Sequence, residues 1–86
     1  MPYIKRENRP HLDQHVLPLT TAATGWGDLN YCVTRLVYEY ARTRPGFSYE
    51  DYQAAIGCLE CAKMELYRRK VAEYEDQKRH ENGDVY

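Results

Sequence analysis

From Ser48 to about Gln77 the chain reads as one helix, about twice as long as the only other strong helical stretch. Tyr52, Ala55, Ile56, Leu59, Ala62 and Leu66 recur at steps of three and four, and Tyr67, Val71 and Tyr74 continue the stripe on a slightly rotated face. The second stripe, Leu29, Cys32, Val33, Leu36, Val37 and Tyr40, ends near Arg42. At 1.5 Å per residue the two rods span about 45 Å and about 21 Å. Much of the longer stripe therefore lacks a partner of matching length, and its far end is expected to meet the N-terminal arm, the first helix or a neighbouring subunit. The expected fold is all-α: a helical hairpin with one long C-terminal helix and a short N-terminal helix, assembled as an oligomer.

The flanking signals set boundaries within a single domain spanning 1–86. Residues 1–9 mix Pro2, Tyr3, Ile4 and charged groups without a period, and predict an extended arm. Over 10–23, Leu12, His15, Val16 and Leu19 keep helical spacing, but Pro18 has no amide proton and clashes with the preceding turn, so this helix is kinked or split. Thr24 to Gly27 reads as a connection in which Trp26 is an anchored loop residue or a gate over a pocket, and Asp28 as the cap of a helix over 28–43. Arg44-Pro45-Gly46 stops that helix, because the residue before proline avoids helical geometry and glycine tolerates the turn. Ser48 and Asp51 then form a capping box for a helix over 48–78, and Phe47 can staple onto Tyr52. Gly57 suggests a close approach of helices, and 80–86 reads as a tail.

Composition narrows the function. Twelve basic against thirteen acidic side chains give a net charge of −1, which offers no field to capture a DNA or RNA polymer or an anionic membrane. The sequence holds no long apolar run, so neither a spanning helix nor a signal peptide is expected, and the cytoplasm of a bacterial cell or phage-infected host is the expected location. Three cysteines, an odd number, favour free thiols. Cys58 and Cys61 share a helix face, but a closed zinc site needs four ligands, so they read as small core residues, as does Cys32. His11 and His15 share a face without a third ligand. There is no phosphate loop, nucleophile elbow or metalloprotease histidine pair, and the expectation is a protein that is not an enzyme and carries no metal or other cofactor.

Two features remain that suit binding. Nine tyrosines in 86 residues supply rigid rings with polar tips, fit for core edges, subunit interfaces or stacking on a base. Arg68, Arg69 and Lys70 form a cationic run spread around roughly 200° of the rod, so they cannot all serve one ligand within one subunit. Glu65 and Arg69, four apart in acid-before-base order, are expected to pair, as are Arg35 and Glu39.

The C-terminal third carries a more specific signal: Glu60-Cys61-Ala62-Lys63, Glu65-Leu66-Tyr67-Arg68-Arg69, Val71-Ala72-Glu73-Tyr74-Glu75-Asp76, Lys78 and Glu81-Asn82-Gly83-Asp84-Val85-Tyr86. With the opening Met1-Pro2-Tyr3-Ile4-Lys5 and the segment Asp28-Leu29-Asn30-Tyr31, it resembles a family of short uncharacterised proteins encoded by bacteria and tailed phages. Pro18 departs from the uninterrupted first helix expected of that family. In general architecture the chain also resembles small phage proteins that act as sponges for nucleotide signals of bacterial immunity. That resemblance implies a ligand-binding set in which Lys5, Arg68 or Arg69 neutralises phosphates while Tyr3, Tyr67 or Tyr74 stacks on a base. The alternative from the same residues is an interaction module whose oligomer presents tyrosines to a host or virion protein.

Overall fold

The computed structural model describes residues 1–86 and contains helices and turns with no sheet. After a 3-10 turn at Arg6–Asn8 come α1 (Arg9–Val16), α2 (Leu19–Ala22), α3 (Trp26–Arg42), α4 (Tyr49–Leu66), one π turn (Tyr67–Val71) and α5 (Ala72–Asn82). The extended arm is thus shorter than the sequence suggested, since Arg6 to Asn8 already turn and the first helix opens at Arg9. Pro18 splits the first helix. α1 ends at Val16, where the Leu17 N–H still donates to Asp13 O at 2.9 Å, and Pro18 caps the single turn of α2.

α3 opens two residues earlier than its apolar stripe implied. Trp26 and Gly27 belong to its first turn, so Trp26 is not an anchored loop residue, and it is 85% exposed. Asp28 is not the terminal cap either. From the third helical position its Oδ2 accepts the Thr24 N–H at 3.0 Å and the Thr24 hydroxyl at 2.9 Å, tying the α2–α3 link to the helix start. These hydrogen bonds, the backbone one first, hold the Asp28 carboxyl below the usual aspartate range. Further along α3, Glu39 accepts ion pairs from Arg42 at 2.5 Å and Arg35 at 3.2 Å.

Gly46, at φ +66°, makes the turn that sends the chain back as α4. The turn is fixed on its far side by the Ser48 N–H, which donates to Asp51 Oδ2 at 2.9 Å, and by Phe47, packed edge-on against Tyr52 at 5.0 Å between ring centroids. α3 and α4 form an antiparallel hairpin whose burial is concentrated near this turn. Ala41 is 3% exposed and the only buried residue of the chain; Val37, Ala55 and Leu59 are half-buried. Toward the other end protection fades, and Leu66 is 62% exposed. Leu36, expected inside the hairpin, is 59% exposed because the line facing α4 runs through Val37 and Ala41 instead. Cys58 and Cys61 are likewise exposed rather than core residues, while Cys32 is half-buried. Gly57 marks no close approach: a Cβ there would meet nothing within 4 Å.

The long helix continues past residue 78 to Asn82, where Gly83, at φ +92°, stops it and leaves a shorter tail of residues 83–86. Its one irregularity is the π turn, which the apolar spacing did not disclose. The molecule measures 52 × 31 × 30 Å, with a radius of gyration of 16.7 Å. A compact chain of this length would have a radius near about 12 Å. No helix is long and apolar enough to cross a membrane.

Candidate functional site

The N-terminal segment crosses onto the long helix just before the π turn. There the Tyr3 hydroxyl donates to Glu65 Oε1, and Arg68 Nη2 donates to both Glu65 oxygens at 3.1 and 3.0 Å and to the Tyr3 oxygen at 3.3 Å. The pairing expected of Glu65 with Arg69 is therefore made with Arg68, three residues on. Helical neighbours three and four apart are both within reach, and the contact with Tyr3 favours the nearer one. Met1 and Pro2 lie over the same stretch of helix and, with Cys61, Met64, Tyr67 and Arg68, border an open groove of about 570 Å³.

Tyr67 stands at the edge of this groove and opens the π turn. One turn of wider i→i+5 bonding followed by one α-turn takes up about eight residues, which stacks positions 67 and 75 along one side of the rod. The Tyr67 hydroxyl accordingly donates to Glu75 Oε1. That hydrogen bond, then the negative charge of Glu75, push the Tyr67 phenol above its ordinary value. Below the turn, residues 83–86 fold back along α5 and border a second groove of about 530 Å³ that shares Tyr67 with the first and takes in Glu75. The Tyr86 N–H donates to Asp84 Oδ1 at 3.0 Å within that tail.

Of the six candidate binding residues, the fold brings Tyr3, Tyr67 and Arg68 to one place. Tyr74 is exposed on α5 with Lys78 Nζ 5.6 Å from its ring centroid, away from the groove. Lys5 and Arg69 border neither groove and form no ion pair. Arg68 is already engaged by Glu65, but its side chain is 63% exposed and such a surface pair is worth no more than about 1 kcal/mol, so a phosphate can displace the carboxylate. The residue that spacing alone missed is Glu65, half-buried between Tyr3 and Arg68. Its only signal was an acid just before the cationic run. No group of three or more His, Cys, Asp and Glu side chains converges in a way that could hold a metal ion.

A family model described as Domain of unknown function (DUF6899) matches residues 1–85, from the arm that carries Tyr3 to the tail below Tyr67. The chain belongs to that family. No curated protein and no solved structure matches it. The DUF6899 match thus takes in every element of the site: the arm, the end of α4, the π turn and the folded-back tail.

Proposed function

We propose that this DUF6899 protein is a non-enzymatic helical module that self-associates and works by binding, with the groove between its N-terminal arm and the π turn as the ligand site. The observation that carries the reading is that Arg68 and Tyr67 border that groove together, with Tyr3 hydrogen-bonded to Arg68 beside it, so that a guanidinium and an aromatic ring face a space of small-molecule size. A nucleotide fits this chemistry, its phosphate displacing Glu65 from Arg68 and its base lying on a tyrosine ring. In its specific form the proposal is a phage anti-defence sponge that sequesters a nucleotide immune signal in the cytoplasm of an infected bacterium, with no reaction taking place. Self-association is supported by surface area: the single chain exposes 7931 Å², against about 5,300 Å² for a compact monomer of its mass.

A second reading has its own support. Tyr31, Tyr38, Tyr49 and Ile56 are exposed, Ile56 by 67%, and helical periodicity sets them along one flank of the hairpin. Such an aromatic flank suits a host or virion protein, since tyrosine is enriched in protein interfaces. Thermal unfolding with a panel of cyclic dinucleotides and ADP-ribose derivatives separates the two. A saturable rise in melting temperature with one nucleotide, lost in Arg68→Ala, supports the sponge. No shift with any of them, together with a protein retained on the wild-type chain and released by Tyr38→Ala, supports the interaction module.

A further inference from the structure

Resting on the self-association proposed above, we infer which face a second copy covers: the hairpin flank opposite the tyrosines, where a ridge of Val33, Leu36 and Tyr40 on α3 runs beside a shallow row of Ala54, Cys58 and Cys61 on α4. The placement follows from about 100° of rotation per residue. Measured from the lines that face each other across the hairpin, Val37 and Ala41 on α3 and Ala55 and Leu59 on α4, the ridge turns away by about 60° at Val33 to about 120° at Leu36, and the row by about 80° at Cys58 to about 140° at Cys61. Because the helices are antiparallel, both turn to the same side. All six residues are exposed in the single chain.

The chemistry of this flank favours a copy of itself over another partner. Large side chains on one helix and small ones on its neighbour make a surface that is its own complement: a two-fold axis sets each ridge on the other chain's row, and both contacts form at once. Charge is sparse on the strip: Arg35, Glu39 and Arg42 occupy the other side of α3 and pair among themselves, and the cation beside the ridge, Arg44, lies with its guanidinium 3.6 Å from the Tyr40 ring centroid. The area agrees as well. The exposed surface exceeds that of a compact monomer by about 2,600 Å² per chain, or about 5,200 Å² for a pair, at the upper end of permanent homodimer interfaces, which bury about 2,000 to 5,000 Å² or more in total. A chain with one buried residue has no core to sustain it while it waits for a foreign partner, whereas another copy is present wherever it is made.

The cysteines give the test a direct readout. Sedimentation velocity across a range of concentrations measures association, and iodoacetamide labelling followed by peptide mass spectrometry measures how fast Cys58 reacts, since Cys61 also borders the groove beside Met1 and Pro2 of its own chain. The expected result is an associated wild-type protein in which Cys58 reacts at least about tenfold more slowly than in the urea-unfolded chain. Leu36→Lys should lower the mass and speed labelling, while Tyr38→Lys on the other flank should do neither. An associated protein with fast Cys58, or one whose mass responds to Tyr38→Lys and not to Leu36→Lys, overturns this face and leaves self-association standing. A cooperatively folded 10.2 kDa monomer at every concentration overturns both. If Leu36→Lys does not fold, wild-type thiol protection decides the matter alone.

Discussion

Replacing Leu36 with alanine separates a chain that stands alone from one covered by a copy of itself. In the single chain Leu36 is 59% exposed, so only about two fifths of its surface leaves water on folding. Burying a leucine side chain completely is worth about 1.5 to 3 kcal/mol, and two fifths of that is about 1 kcal/mol. Beneath a second copy the same truncation removes a fully packed side chain and leaves a cavity, at a cost of about 2 to 5 kcal/mol. Leu59, half-buried inside the hairpin, is the internal reference because its surroundings come mainly from its own chain. Urea unfolding followed by far-UV circular dichroism, at two protein concentrations at least about tenfold apart, reads both quantities. The expected outcome is a loss at Leu36 equal to or larger than that at Leu59, with a wild-type midpoint that rises with concentration. A loss near about 1 kcal/mol or less at Leu36, with a midpoint indifferent to concentration, would refute the reasoning that the flank is covered.

Four further perturbations test separate parts of the structure. Gly57→Ala should stabilise the protein by about 1 kcal/mol in urea unfolding, because the added methyl meets nothing and alanine is the better helix former. Asp51→Ala removes the acceptor for the Ser48 N–H and should cost about 1 kcal/mol in the same assay. Tyr67→Phe should remove from the ultraviolet absorbance titration a phenol that titrates above the ordinary tyrosine value. Since the folded value is raised, the stability linked to this group is present below the ordinary tyrosine value and lost as pH rises through the folded one, so the variant should lose stability at neutral pH but depend less on pH in that alkaline range. Asp28 has the opposite sign: its lowered carboxyl adds stability above the ordinary aspartate value that disappears as pH falls through the lowered one. Asp28→Asn should therefore flatten the acid limb of the stability profile measured by chemical denaturation.

What the residues disclosed in advance divides along a physical line. The all-helical class, the hairpin turn at Pro45-Gly46 and the Ser48–Asp51 cap follow from local rules, in which a missing amide, a positive φ or a carboxylate three positions on acts within one turn of helix. The facing side of α3 does not. Its stripe spans Leu29 to Tyr40 and is wider than one contact line, so periodicity cannot tell which of Leu36 and Val37 turns inward; packing against α4 decides, and it chooses Val37. The same width leaves Leu36 and Tyr40 outside the hairpin.

The π turn is the harder case, because no residue between Tyr67 and Val71 carries a helix-breaking signal. Its effect is nonetheless written in the partners it creates. The apolar stripe seemed to rotate after Leu66, and a register shift near there does what a gradual rotation was taken to mean: it re-aims everything beyond it. Glu75 comes to lie beside the Tyr67 hydroxyl, while Arg68, just inside the turn, keeps its contact with Glu65 and the arm. Glu65 thus links the arm to the helix on one side of the turn and Glu75 links the helix to itself on the other, with Tyr67 bordering both grooves between them. The proposed ligand groove lies where the arm meets this irregular backbone, and sequence periodicity, which assumes a lone regular helix, could name Tyr3, Tyr67 and Arg68 individually but could not assemble them.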